Sequence, residues 1–232
     1  MAHTRSKRYR KAAELVESDK VYPLAEAIGT MKKFPAPKFD PTVTLSFHLG
    51  VDPKKSDQMV RGSVSLPHGT GKNVRVIVFA QGDAAKAAKD AGAEEVGFED
   101  LIKKVQEGFL DFDAAVATPE AMAEVRKIAR VLGPRGLMPN PKTGTVTPDT
   151  GKAVKEVKAG RVDYKLDKSG NIAAVIGKAS FTEEQLVENA TALLESVAKS
   201  KPASAKGNFI QSATLTASMT PGLRLDASSY NN

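Results

Sequence analysis

The chain has 232 residues, of which 41% are hydrophobic and 26% are charged, as in a globular protein of one large domain or two smaller ones. It has no cysteine and only three histidines, far apart in sequence, so disulfides, thiolate metal sites and a zinc site are not expected. No apolar run approaches the roughly 20 residues of a membrane-spanning helix. The basic start, Met1–Lys11, has no apolar signal core behind it, so we expect a cytoplasmic protein without a membrane partner.

The net charge of +7 is unevenly distributed along the chain. Residues 68–159 carry 14 Lys and Arg against 13 Asp and Glu, a net charge of +1, so the two flanks together hold the remaining +6. A polyanion is therefore expected to bind the flanks rather than the middle segment.

The flanks contain strands that alternate between apolar and polar residues. In 42–49 the residues Val43, Leu45, Phe47 and Leu49 share one face, which is typical of a half-exposed antiparallel strand. Further strands are predicted over 161–167, 172–176 and 209–216, with a hairpin turn at 168–171. A helix is predicted to follow a capping box of Thr182 and Gln185, and its apolar stripe comprises Leu186, Ala190, Leu193, Leu194 and Val197.

The middle segment alternates apolar strands with helices. Strands are predicted over 74–79, 94–98 and 112–117, and helices before Gly92, over 100–106 and after the cap at Thr118. Nearly continuous apolar strands separated by helices predict a parallel, Rossmann-like sheet covered on both faces.

These two styles predict an α/β fold with two domains. A discontinuous α+β domain with an antiparallel sheet is built from both termini, residues 1–67 and 160–232. An inserted Rossmann-like, three-layer α/β domain comprises residues 68–159.

The sequence offers little support for an enzyme, and we expect neither catalytic residues nor a cofactor. Gly69–Asn73 suggests a phosphate-binding loop, but Leu66 and Asn73 stand where that motif needs a glycine and a hydroxyl residue. The first strand of the middle segment lacks a dinucleotide fingerprint. A catalytic pair of Asp111 and Asp113 is possible, although a solvated strand edge is the favoured interpretation.

Residues 130–146 form the most distinctive segment of the chain. Six prolines and glycines fall between Gly133 and Gly144, so we predict a long ordered loop, neither helix nor strand. Arg130, Arg135 and Lys142 give it positive charge without an acidic residue.

Three further segments are typical of nucleic-acid contact, each with a simpler alternative. Arg5–Lys11 has five cations and a tyrosine, although it could be a solvated helix face. Phe39 beside Lys38 could stack on a base, or could belong to the core. Ser218–Gly222 lies between two predicted strands and could offer backbone donors to RNA, or could be a plain turn.

The chain closely resembles the L-one family of large-subunit ribosomal proteins over nearly its whole length. The motifs that carry the resemblance include Lys38-Phe39-Asp40, Ser65–Gly69, the 130–146 segment, Lys158–Arg161 and Gly177–Phe181. The resemblance implies a split domain made of both termini, an inserted Rossmann-like domain and no enzymatic activity.

The resemblance also implies the partners and the site. The protein would bind the stalk helices of 23S ribosomal RNA, assist release of deacylated transfer RNA from the exit site, and repress its own operon messenger RNA. It would act as a monomer apart from the ribosome. The residues expected to bind RNA are Lys38, Phe39, Thr42, Lys165, Lys168, Ser218, Met219, Thr220, Pro221 and Gly222. Secondary RNA contacts are expected from Arg5, Lys7, Arg8, Arg135 and Lys142. For Arg135 and Lys142, in the 130–146 segment, the partner could be transfer RNA or the split domain.

One site residue departs from the family pattern. The family loop usually reads Thr-Met-Gly-Pro, whereas this chain has Ser218-Met219-Thr220-Pro221. A β-branched residue resists positive φ, so the geometry of this loop is expected to differ. Two other functions stay open from the residues alone: a nucleotide-dependent enzyme using the inserted domain, and a basic nucleic-acid binder without a specific site.

Overall fold

The structure is a computed structural model that describes residues 5–17, 20–205 and 207–228, without the side chains of Ser56 and Lys142. The chain forms two compact units. One contains the residues up to Gly71 together with those from Val162 onward, and the other comprises Lys72–Arg161. We call them the split unit and the inserted unit.

Helices and short strands make up both units. The α-helices are α1 (Lys7–Ala13), α2 (Leu24–Lys32), α3 (Gly82–Asp90), α4 (Glu99–Gln106), α5 (Met122–Val125), α6 (Ala129–Leu132), α7 (Thr150–Lys158) and α8 (Glu183–Lys199). The strands are β1 (Thr42–Leu49), β2 (Arg61–Ser65), β3 (Val76–Phe79), β4 (Glu95–Gly97), β5 (Ala114–Ala117), β6 (Arg161–Lys165), β7 (Asn171–Lys178), β8 (Ile210–Ala217) and β9 (Leu223–Leu225).

A four-stranded antiparallel sheet organises the split unit, with strand order β7-β1-β8-β9. The alternation predicted for β1 is present, since Val43, Leu45, Phe47 and Leu49 are all buried. The helices α2 and α8 contact this sheet, and the predicted apolar stripe of α8 lies in the same core. The predicted capping box is confirmed: Thr182 Oγ1 accepts from Gln185 N at 3.2 Å, and Gln185 Oε1 accepts from Thr182 N at 3.0 Å.

The hairpin predicted at 168–171 is wrong in its partners. The strand β6 pairs with β2, whereas β7 pairs with β1, so the turn connects two different sheets. Tyr164 of β6 packs so closely over Gly62 of β2 that a Cβ there would lie 2.6 Å from the tyrosine hydroxyl. The same hydroxyl lies 3.1 Å from the Ser196 carbonyl of α8, which fixes the position of this second sheet.

The inserted unit contains a parallel three-stranded sheet with strand order β4-β3-β5. Every residue of β3 is buried, and separate apolar clusters form on the two faces of the sheet. The predicted loop at 130–146 is wrong at its start, because Arg130 lies in α6. Gly133 follows that helix, and further on Pro141–Thr143 forms a 3-10 turn.

Asp111 and Asp113 take part in ion pairs at the edge of this sheet. Asp113 accepts from Lys72 Nζ at 2.6 Å and from the Arg75 backbone N–H at 3.2 Å, and Arg75 also pairs with Asp111. These contacts attach the first residues of the inserted unit to the segment that leads into β5, an edge strand of its sheet.

Acidification is expected to loosen this attachment. The hydrogen bond from Lys72 is the main cause that lowers the pKa of Asp113 below its ordinary value of 3.8. A carboxylate with a depressed pKa stabilises the folded state above its unfolded pKa, and that contribution is lost as the pH falls through the folded value. Hydrogen exchange of the β3 amides in wild type and in Asp113→Asn, from pH 7 down to pH 3, would measure the effect.

Wild type is expected to lose protection toward pH 3 more steeply than Asp113→Asn, which lacks the titrating group. The matched control is Asp83→Asn, because the Asp83 side chain is 97% exposed. Equal pH dependence in wild type and Asp113→Asn would contradict the assignment.

Candidate nucleic-acid interface

Several predicted RNA-binding residues meet at one end of the four-stranded sheet. Thr42 begins β1 opposite Lys178, the last residue of β7, and Lys178 Nζ donates to Thr42 Oγ1 at 2.9 Å. Ser218, just beyond β8, donates its backbone N–H to the Thr42 carbonyl at 3.0 Å, and its Oγ accepts from Thr42 N at 3.2 Å. We call residues 38–42, 178–181 and 218–222 the loop rim.

A second set of hydrogen bonds holds the segment that carries Phe39. The Asp40 carboxylate accepts from the backbone N–H of Ser180 at 3.2 Å and from its hydroxyl at 2.8 Å. The Ala179 backbone N–H donates to the Pro41 carbonyl at 2.9 Å. The chain from Asp40 to Thr42, directly after Phe39, is therefore anchored before any ligand arrives.

Two large apolar side chains remain exposed on the loop rim. Phe39 is 47% exposed and Met219 is 68% exposed, although both lie beside strands whose inward side chains are fully buried. The alternative that Phe39 belongs to the core is therefore wrong. Exposed aromatic and thioether groups on an ordered surface are suited to packing against the flat face of a base or a sugar.

The residue with positive φ in this loop is Met219 and not Thr220. Positive φ falls on Met219 (φ 62) and, among the described residues, on no other non-glycine residue. Thr220 closes the turn instead, with its backbone N–H donating to the Ala217 carbonyl at 3.1 Å. The substitution of the family glycine thus leaves the loop able to form.

Two predicted residues lie outside the loop rim, on the chain that leads to the opposite end of the four-stranded sheet. Lys165 is the last residue of β6, in the two-stranded sheet, and Lys168 lies in the turn before β7, which begins with Asn171 opposite His48. Since β1 has eight residues and a strand rises about 3.3 Å per residue, this turn lies about 23 Å from the loop rim along the strand. The two lysines therefore do not belong to one compact cluster with Phe39.

A strip of hydroxyl groups joins the two ends. Thr44 and Ser46 of β1 stand opposite Thr216 and Thr214 of β8, on the face that points away from the core. Sequence reasoning missed the two residues of β8. The period-two pattern of β8 could have indicated them, because its polar positions form an exposed face just as its apolar positions form a buried one.

The first helix lies next to the loop rim. A cleft of about 330 Å³ is lined by Arg5 and Tyr9 of the N-terminal segment, by Lys20, and by Gly222 and Arg224 at the other wall. The Arg5 guanidinium stacks over the Tyr9 ring at 4.4 Å from its centroid. Arg5 is thus placed beside the predicted loop, and Lys20 and Arg224 are cations that carried no signal in the sequence.

The remaining secondary residues are less closely grouped. Lys7 and Arg8 lie on α1, with Lys7 exposed and Arg8 half-buried. Arg135 is exposed on the inserted unit. The side chain of Lys142 lies outside the described part of the structure.

The described residues give no metal-ligand cluster, since no three His, Cys, Asp or Glu side chains among them could hold an ion together. Across that same part of the chain, no helix is both long enough and apolar enough to cross a bilayer.

Comparison with known proteins assigns the chain to a family. The model of the ribosomal protein L1p/L10e family matches residues 31–221. The large ribosomal subunit protein uL1 of Beutenbergia cavernae is 56% identical over 227 residues, covering 98% of this chain and 95% of that protein. Its counterparts from Saccharopolyspora erythraea and Lactobacillus delbrueckii subsp. bulgaricus are 55% and 56% identical, covering 98% and 95% of this chain and 96% and 95% of their own lengths.

The chain belongs to the ribosomal protein L1p/L10e family. The family resemblance stated from the sequence is confirmed.

Proposed function

We propose that this protein is a structural component of the large ribosomal subunit in the cytoplasm and binds the stalk helices of 23S ribosomal RNA through its split unit. The observation that carries the proposal is the exposure of Phe39 and Met219 on a rim of anchored loops. In proteins that recognise RNA, such apolar groups stack on bases that have left the helical stack.

The groups around them fit RNA rather than an apolar partner. Lys38 and Lys178 lie on the same rim, and both are accessible, fully or in part. The Ser218 hydroxyl bonds to the Thr42 backbone and the Thr42 hydroxyl accepts from Lys178 Nζ, so both hold the rim in shape. Phosphate contacts fix orientation and stacking contacts select unpaired bases, and this rim has both kinds of group.

The hydroxyl strip and the second end extend the proposed surface. An RNA helix that lies along the β1 and β8 face would meet Phe39 at one end and Lys165 and Lys168 at the other. Hydroxyl side chains are suited to the ribose 2′-OH and to phosphate oxygens. The proposed site is therefore about 23 Å long.

The finer assignments are proposed on the same basis. Residues 1–67 and 160–232 would form the RNA-binding domain, and residues 68–159 the inserted domain with a secondary contact at Arg135. On the ribosome the protein would assist release of deacylated transfer RNA from the exit site. Off the ribosome, as a monomer, it would repress translation by binding a stalk-like structure in its own operon messenger RNA.

A salt series tests the proposal. The logarithm of the affinity for a stalk RNA fragment is expected to fall linearly with the logarithm of salt concentration, with a slope of roughly 0.7 to 0.9 per phosphate neutralised. Lys38→Gln should reduce that slope by about one contact, because Lys38 lies on the loop rim. Lys103→Gln, the matched control, replaces an exposed lysine of α4 on the inserted unit and should leave the slope unchanged.

Competition with duplex DNA separates a specific site from a generic basic surface. Excess duplex DNA should leave the stalk RNA complex intact at physiological salt. Affinity for the stalk fragment no better than for random RNA of equal length would refute the proposed function.

A further inference from the structure

The turn that presents Met219 is strained in one place and clamped in another. Residues Ala217 to Thr220 form a four-residue turn closed by the Thr220 N–H and the Ala217 carbonyl, 3.1 Å apart. Its third residue, Met219, has φ 62, in the left-handed region that turns usually assign to glycine or asparagine. A methionine there costs conformational free energy, because its Cβ crowds the backbone.

The Thr220 side chain holds the turn closed through two hydrogen bonds, which we call the clamp. Its Oγ1 accepts from the Ala217 backbone N–H at 3.1 Å and can donate to the Ala217 carbonyl at 2.9 Å. One hydroxyl therefore contacts both main-chain groups of the residue where the turn begins. Threonine is β-branched, so its χ1 has few accessible states and the hydroxyl is held in place at little further entropic cost.

The positive φ at Met219 sets the orientation of its side chain, and this orientation matters for binding. With positive φ at Met219 the side chain points away from the unit, and at 68% it is the most exposed of the large apolar side chains in the described residues. Without the clamp, the chain could relax to negative φ and turn this side chain elsewhere. The residue next to the strained one thus decides whether the thioether is presented.

We propose that Thr220 is a positioning residue that holds the 217–220 turn closed and presents Met219 before RNA arrives. The proposal rests on the proposed function only in its second half, since the clamp acts in the free protein. A chain with glycine at this position has no side-chain hydroxyl there, so its turn would be ordered to a greater extent by the RNA itself. Ordering before binding lowers the entropic cost of association.

Three variants test this inference. Thr220→Val keeps the shape and removes the hydroxyl, Thr220→Ser keeps the hydroxyl, and Thr220→Gly restores the usual family residue. In the free protein, methyl relaxation of Met219 and hydrogen exchange of the Ala217 amide report on the turn. The mobility of the Met219 methyl group and the exchange rate of the Ala217 amide should both increase in the valine and glycine variants. Both should stay near wild type in the serine variant.

RNA affinity gives the second readout. Immobilising one flexible side chain costs about 0.5 to 1.5 kcal/mol, which corresponds to a change in Kd of about 2- to 12-fold. Thr220→Val should weaken binding by that factor, mainly through faster dissociation, and Thr220→Ser should restore affinity to within about twofold of wild type. The salt slope should not change in any variant, because no phosphate contact is removed.

The outcomes distinguish the two proposals. Unchanged Met219 mobility in Thr220→Val would overturn the clamp, and a fall in affinity without a change in mobility would assign Thr220 to direct RNA contact instead. If wild type does not bind stalk RNA, the proposed function fails, while the mobility of Met219 still decides the role of Thr220 in the free protein.

Discussion

Replacing Asn189 with leucine is expected to lower the free energy of unfolding of the split unit by about 3 kcal/mol. The side chain is fully buried in α8, and its Nδ2 donates to the carbonyls of Ile176 at 2.8 Å and Gly69 at 3.0 Å. Its Oδ1 accepts from the His68 backbone N–H at 3.1 Å. Leucine has a similar size but leaves all three backbone groups without these partners.

Urea denaturation followed by circular dichroism would measure this loss. The matched control is Asn208→Leu, because Asn208 is exposed and its replacement should change stability by no more than about 0.5 kcal/mol. If the two variants unfold at the same urea concentration, the hydrogen bonds of Asn189 to His68, Gly69 and Ile176 do not stabilise the split unit as the distances indicate.

Replacing Phe39 or Met219 with alanine is expected to weaken binding of stalk RNA about 5- to 140-fold without lowering stability. A base stacked on a side chain contributes about 1–3 kcal/mol, so each truncation should cost that much affinity. Stability should change little, because neither side chain belongs to the buried core of the split unit. Filter binding or fluorescence anisotropy measures the affinity, and thermal melting measures the stability.

Val21→Ala is the control for these two variants. Val21 is 44% exposed, close to the 47% of Phe39, and is not one of the loop-rim residues; it precedes the Tyr22–Leu225 bridge. It should bind RNA as wild type does. A fall in melting temperature with unchanged affinity in Phe39→Ala would show that the side chain supports packing instead.

Strong local patterns allowed much of the fold to be predicted. The strand over 42–49 was predicted at its observed bounds, because its apolar residues alternate without interruption. The capping box of α8 was predicted because Thr182 and Gln185 lie three residues apart, just before an apolar stripe. In both cases the determinants lie within one short stretch of chain.

Other features depend on residues far apart, and the sequence could not reveal them. The pairing of β2 with β6 was not predicted, so the partner of β6 was wrong. Their pairing depends on Gly62 leaving room for Tyr164, about a hundred residues later. The start of the 130–146 segment was also wrong, since Arg130 and Leu132 continue a helical run before the first glycine takes effect.

The candidate site shows the same division. Local composition identified Phe39, Met219 and the cations, but their grouping depends on the register of β1 with β7 and β8. That register also separates Lys165 and Lys168 from the loop rim. The positive φ lies at Met219 rather than at Thr220, in a turn where Thr220 bonds to Ala217, and intrinsic residue preferences alone do not predict this placement.

The position of β1 in its sheet sets an order of events during synthesis. Its neighbours are β7 and β8, and the Thr42 contact with Lys178 spans 136 residues of sequence. While the chain grows from its N-terminus, the apolar face of β1 stays uncovered until β7 and β8 have been synthesised. The Lys72–Arg161 unit is complete before those strands are made. The inserted unit can therefore fold first, and the nascent split unit is the part that depends on protection from aggregation.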